Sequence, residues 1–435
     1  MMNTTKKCEL LMKFLLNKNC MKHITQTAQS VEIIKQLHNE MVEADAALKE
    51  HKSKDPEFYK IKLKKIENAT QITKPKTFNK EGGLIQSVED HIDKYSFFEI
   101  MYSFHLLDRL INIYFILEKS DVDINLDLEP DLNKFNCYVD NIFIWLSIIN
   151  KHATNKCSSH FVSYIYFTSL KKELPKDKST TLSQLHINTA FTYACPVNLA
   201  EIVIFRKEEW FKVFIHESFH NFGLDFASMN NTECSKIMLD IFHITSEVNL
   251  YESYAEFWAK FMNIILFSYH LLDDKEDIDT FIKYTDFLLN YERAHSFFQT
   301  AKVLNYMGLT YTELYESSSS EKSKKIYKEK TNVFAYYVVS LILTNNYPQF
   351  VSWCYENNSK STFLQFTQTK ENQQKYCDYI QSNYLDKQLL KGMQCYEKIL
   401  HKIIKLTNQK TTHDKNAKSL NYIANNLRLS LCETE

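Results

Sequence analysis

The sequence predicts a mainly α protein with a small β-sheet, an α+β fold. Three observations carry this. Gly (5) and Pro (6) are scarce among 435 residues, so tight turns are few and helices long. Helical apolar periodicity runs through most of the chain. The β-rich stretches are short and confined to residues 161–168, 187–193 and 202–205. The expected organisation is a helical N-terminal region over 1–155, a core over 156–275 and a helical C-terminal region over 276–435.

Along the chain, residues 1–70 read as charged helices, amphipathic over 30–51, and the basic run 60–65 as a solvated helix face. Residues 71–84, with Pro75, Gly82 and Gly83, read as a linker, and 85–118 as a periodic helix or helix pair. The acidic stretch 121–131 with Pro130 reads as a loop, and 136–151 as a helix leading into the strands. After the last strand, Glu208 and Glu209 suit a helix N-terminus. Apolar residues lie nearly all round the helix that follows, and Gly223 ends it. Asn249 is a candidate cap for the next helix. Helices continue to the end, broken at 317–320 and 345–348, with no internal repeat.

Lys+Arg 52 against Asp+Glu 53 gives a net charge of −1, which offers no basic excess for nucleic acid. The ten cysteines show no C-x-x-C spacing and no disulfide framework, which fits a reducing, cytoplasmic setting. Cys195 and Cys234 read as buried, inert thiols, and His243 and His270 as structural histidines. Lys6, Lys7 and Lys13 interrupt the apolar N-terminal segment, so no signal peptide is expected. The apolar runs 261–267 and 333–343 are too short to span a membrane.

One stretch has chemical grammar: His216-Glu217-Ser218-Phe219-His220. Two histidines four apart on a helix project from one face and reach one metal ion, for which zinc is the fitting choice. Glu217, between them, sits where it can take a proton from a water. On the next predicted helix Glu252 and Glu256 share a face among Tyr254, Phe257 and Trp258. Two carboxylates facing inward on an aromatic helix are costly unless paired or metal-bound.

This combination resembles the gluzincin group of zincin metallopeptidases, in which the H-E-x-x-H helix is followed by a helix bearing a glutamate ligand. Glu252-x-x-x-Glu256 is similar to the Glu-x-x-x-Asp of thermolysin-like and neprilysin-like members, and Glu252-Ser-Tyr-Ala to the Glu-Gly-Phe-Ala of M1-type aminopeptidases. The resemblance covers about residues 160–265. It implies a zincin-like core embedded in helical regions, with Zn2+ held by His216, His220 and Glu252. Glu217 would be the general base and Glu256 a partner that orients the first histidine. It also implies a peptide or protein substrate laid along an upstream edge strand, for which 188–191 is the candidate. His295, Tyr311, Tyr336 and Tyr337 are candidate donors to the developing oxyanion.

The pattern departs from the group in two ways. Thirty-one residues separate His220 from Glu252, a longer gap than in thermolysin-like or M1-type enzymes, and no Gly-x-Met-Glu-Asn motif is present. The start of the motif is also similar to the metzincin pattern, but its third ligand position holds Phe226, with Asp225 one residue early as a rival ligand. The Asn/Lys/Ile-rich chain as a whole resembles metallopeptidase-like proteins of large DNA viruses. The alternatives are a catalytically silent metal-binding or scaffold protein that keeps a zincin shell, or a chance motif in a helical structural protein.

Overall fold

A computed structural model describes residues 4–16, 18, 20–78, 83–121, 132–153, 157, 159–409 and 415–433. The helices are α1 Lys6–Leu16, α2 Ala28–Lys54, α3 Gln86–Tyr95, α4 Leu132–His152, α5 Gln184–Ile187, α6 Trp210–Asn221, α7 Thr232–Ile241, α8 Leu250–His270, α9 Ile278–Met307, α10 Ser320–Ile326, α11 Ser340–Asn345, α12 Tyr347–Asn357, α13 Lys370–Asn383, α14 Lys387–Gln409 and α15 Lys415–Asn425. The strands are β1 Lys60–Lys65, β2 Ser96–Leu106, β3 Arg109–Glu118, β4 His160–Phe167, β5 Leu182–Ser183, β6 Ala190–Thr192, β7 Leu199–Ile204 and β8 Glu329–Lys330. The mainly α, α+β class is as expected. The chain divides into two compact units, one of Gln36–Lys171 and Thr189–Leu224, the other of Met1–Lys35, Lys172–Asn188 and Asp225–Glu435.

The first unit is built on a six-stranded mixed sheet in the order β1-β2-β3-β4-β7-β6. β3, β4 and β7 run parallel, and the flanking pairs β1/β2, β2/β3 and β6/β7 are antiparallel. Side chains alternate along β4. Val162, Tyr164 and Tyr166 join Val88 and Ile92 of α3 on one face. Phe161 and Phe167 meet Phe214 and Trp210 of α6 on the other. Its alternation and its β-branched and aromatic residues are why 161–168 was recognisable as a strand.

Residues 60–118 correct the expectation of a helical N-terminal region. Only α3 is helical within 85–118; the rest is the β2–β3 hairpin, with Ser96–Leu106 turning directly into Arg109–Glu118. Apolar residues are so dense there that helical and strand periods both fit, and β3 settles on alternate burial because it pairs with β2 on one side and the distant β4 on the other. The turn carries no Gly or Pro, and Leu107 itself adopts φ 52°. The lysines of 60–65 lie on edge strand β1, not on a helix; Lys64 Nζ reaches Glu99 Oε1 at 2.7 Å. Charged edge residues discourage further strand pairing.

The expected linker is likewise tied down where it is described. Glu201 accepts from Lys76 N (2.8 Å) and Thr77 N (2.7 Å), and Tyr166 Oη donates to Thr73 O (2.8 Å). Residues 79–82 and the predicted acidic loop at 122–131 lie outside the described residues.

In the second unit α8 and α9 are central helices, buried all round over 253–269 and 292–304. α9 packs on α8, α11 and α14. Its charged residues within 292–304 are buried with partners, as the cost of desolvation demands. Lys302 Nζ donates to Asn426 O (2.6 Å), Glu292 Oε2 accepts from Leu431 N (2.8 Å), and Arg293 donates to Asn345 Oδ1. Residues 334–339 form a π-helix that leads into α11. Among the described residues no helix is long and apolar enough to cross a membrane.

Cysteine pairing overturns a further expectation. Cys20–Cys395 and Cys157–Cys195 are disulfides, one within each unit. Cys195 is therefore not a free thiol, and two disulfides fit poorly with a reducing compartment.

Candidate metal centre

Strand β7 delivers the chain to α6, which starts at Trp210 and not at the two glutamates. Glu209 adopts φ 60° and forms the cap position. α6 packs on β6 and β7 and is buried along almost its whole length. Trp210 is enclosed by Phe115, Tyr138 and Phe167. Trp145 of α4 stacks on Phe219 and donates from Nε1 to Ser218 Oγ at 2.8 Å. Ser218 Oγ in turn donates to Ile215 O. The residues between the two histidines are thus fixed in rotation from the α4 side.

His216 and His220 are 5% and 8% exposed, and Glu217 8%. The two Nε2 atoms lie 3.2 Å apart, with the rings at 78°. Two nitrogens bound tetrahedrally to one zinc at about 2.0–2.1 Å would stand about 3.3 Å apart. The observed pair fits that spacing.

The end of α6 is held by sulfur chemistry the sequence did not advertise. Cys195, at φ 44°, donates its N–H to His220 O at 3.0 Å, and its side chain is bonded to Cys157. Gly223 N also donates to His220 O (3.1 Å) at φ 65°. A Cβ at Gly223 would stand 3.2 Å from Cys157 Sγ. Gly223→Ala is therefore expected to cost about 1–2 kcal/mol through its left-handed backbone alone, with the crowded disulfide adding to it. A denaturant melt matching wild type would contradict this. Asn221 Nδ2 donates to Thr192 Oγ1 (2.9 Å), which ties the same helix end to β6, the strand that terminates the sheet on this side.

On α8, Glu252 is gripped at both oxygens. Asn332 Nδ2 donates to Oε1 at 2.9 Å and Tyr336 Oη to Oε2 at 3.2 Å. Tyr336 belongs to the π-helix, whose wider turn is a frequent device for aiming a side chain. Asn249 does not cap α8 with its side chain; its Nδ2 donates to Asn332 Oδ1 (3.1 Å) and so supports the group that holds Glu252. Glu256, 1% exposed, stands 3.8 Å from Lys260 Nζ on the same helix.

One nitrogen from each of His216 and His220 and one carboxylate oxygen of Glu252 lie within 4.8 Å of one another, a set that can hold a metal ion. Asp225 is not part of it; its Oδ1 accepts from Ala227 N (2.7 Å) in a turn. Phe226 is enclosed by Phe366, Tyr251, Tyr254 and Tyr376. Of the four candidate oxyanion donors, Tyr336 touches the predicted ligand. Tyr337 Oη donates to Leu427 O, and Tyr311 Oη to Tyr384 O. His295 is fully buried, and desolvation, with Lys302, Arg428 and Lys260 nearby, holds its pKa well below the usual histidine range.

The start of the π-helix carries its own titrating group. Glu329 Oε2 accepts from Phe334 N (2.8 Å) and Tyr327 Oη (3.1 Å), yet burial pushes its carboxyl up to about 7 from 4.5. The folded state then holds a proton that the unfolded state has released, so Glu329 lowers stability as pH rises from about 4.5 to about 7. Glu329→Gln is expected to flatten that slope. Denaturant midpoints measured across pH 5–8 test it, and identical slopes in both proteins would refute it.

Compared with protein-family models, curated proteins and solved structures, the chain finds no match.

Proposed function

We propose that this protein is a zinc-dependent hydrolase of peptide bonds, gluzincin-like in the order of its ligands. The observation that carries the reading is the grouping of His216, His220 and Glu252. The fit of the two imidazoles to a shared tetrahedral ion supports it, as do the two hydrogen bonds that orient Glu252. His216, His220 and Glu252 would hold the metal, which when bound supplies a Lewis acid and lowers the pKa of water toward neutrality.

The chain's own residues do the rest. Glu217, one residue from His216 and largely buried, takes the proton of the attacking water and passes it to the leaving amine. Trp145 and Ser218 keep its helix from rotating. A substrate peptide adds to the sheet beside β6, the edge strand whose Thr192 is bonded to the end of the metal helix, through backbone hydrogen bonds. Asn332 and Tyr336 orient the Glu252 carboxylate.

The direct experiment counts metal per chain in the purified protein and then offers it a mixed peptide library. One zinc per chain with cleavage that a chelator abolishes is the expected result. Metal without cleavage of any peptide would point to the silent metal-binding alternative, and no stoichiometric metal would end the proposal. Tyr336→Phe removes one of the two donors to Glu252 and is expected to weaken zinc binding about 10–100-fold, as loss of a ligand's supporting hydrogen bond usually does. Competition with a chromogenic chelator reads this; an unchanged affinity would mean the Tyr336 contact does not position the ligand.

A further inference from the structure

Two disulfides account for four of the ten cysteines. Of the six free thiols, four fall in pairs on neighbouring segments: Cys8 with Cys432, and Cys234 with Cys377, each thiol perturbing the titration of the other. All four are buried, at 0%, 3%, 4% and 0% exposure. All four belong to the second unit.

Both pairings are held in register by neighbouring contacts. Thr5 N donates to Glu433 O (3.1 Å) and Thr5 Oγ1 to Glu433 Oε2 (3.1 Å), while Cys8 N donates to Thr5 Oγ1 (3.2 Å). The start of α1 is thereby docked on the segment that carries Cys432. On α13, Gln373 lies one turn before Cys377, and its Nε2 donates to Asn231 Oδ1 (3.2 Å), three residues before Cys234 of α7. The packing of α7 on α13 brings the two sulfurs together one turn further on.

We propose that Cys8–Cys432 and Cys234–Cys377 are two further disulfide sites, closed by thiol–disulfide exchange with a small disulfide such as oxidised glutathione. In each, one cysteine gives up its proton and attacks a sulfur of the small disulfide, releasing one small thiol. The second cysteine, deprotonated in turn, attacks the mixed disulfide and expels the other small thiol. Two protein thiols become one disulfide, the small disulfide is reduced to two thiols, and the two protons leave with them. The neighbouring Cys432 lowers the Cys8 thiol below its ordinary range, while Cys8 and burial raise Cys432. Cys377 lowers Cys234 in the same way. Because the sulfurs are buried, closure accompanies folding or transient opening of the unit. With Cys20–Cys395, these bonds would give the helical unit three covalent ties.

The test uses the full chain and is independent of metal binding. The protein is equilibrated in mixed oxidised and reduced glutathione, with and without urea just below its unfolding transition. It is then quenched in acid, alkylated without reduction, digested and mapped by mass spectrometry. The expected result is linked peptides Cys8–Cys432 and Cys234–Cys377, with alkylation confined to Cys137 and Cys354. Cys432→Ser should free Cys8 for alkylation and leave the Cys234–Cys377 peptide intact; Cys377→Ser should do the converse. Absence of the two linked peptides under both conditions, or Cys8 remaining protected in Cys432→Ser, would overturn the proposal.

Discussion

In the proposed hydrolase, Glu217→Gln retains its full complement of zinc and loses about 10²–10⁴-fold in the rate of peptide cleavage, the usual worth of a positioned general base. Gln keeps the size and the hydrogen-bonding ability of the side chain but cannot accept the proton. Because Glu217 lies on the helix between the two ligands and is not itself in the metal-holding group, metal binding should be indifferent to the change. His216→Ala and His220→Ala are the contrast: each removes one of three ligands and should lose metal and cleavage together. Single-turnover assays on metal-reconstituted protein, with metal counted in the same samples, separate the two classes. Wild-type turnover by Glu217→Gln would defeat the mechanism even if zinc is present.

The largest expected effect on stability lies beneath α6, the helix of His216 and His220. Trp145 is fully buried, stacks on Phe219 at 6.0 Å and donates to Ser218 Oγ. Trp145→Ala empties a volume that α4, α6 and the sheet fill together, and large-to-small changes of this kind cost about 3–5 kcal/mol. Trp145→Phe keeps most of the packing and forfeits the hydrogen bond, for about 1 kcal/mol. Urea midpoints of the three proteins should fall in the order wild type, Phe, Ala. If the Ala variant unfolds with wild type, Trp145 does not support α6 as described.

The candidate ligands and base were legible residue by residue. The histidines, Glu217 and the glutamate on the following helix each follow a spacing that a helix turns into a common face. The strand at 161–168 was legible because it alternates and is rich in β-branched and aromatic residues, and 202–205 because it is a short uninterrupted apolar run. The hairpin at 96–118 was not, since its dense apolar run satisfies two periods at once and its turn uses Leu107 where Gly or Asn would have signalled it. Nor were the cysteine pairs: Cys20 and Cys395 are 375 residues apart, and no local spacing reports a contact of that range. Asn332 was equally hidden, and Tyr336, one of 26 tyrosines, was singled out only as a candidate oxyanion donor, since its hold on Glu252 depends on a π-helix that no periodicity announces.

The sequence by itself determined the mainly α class, the helices at 210–221 and 250–270 and their burial, because each depends on neighbours within a turn or two. Only the tertiary structure decided that Asn332 and Tyr336 hold the Glu252 carboxylate, and which cysteines form the disulfides. Those outcomes depend on contacts between segments tens to hundreds of residues apart, fixed by how whole helices and strands pack and invisible to any local pattern.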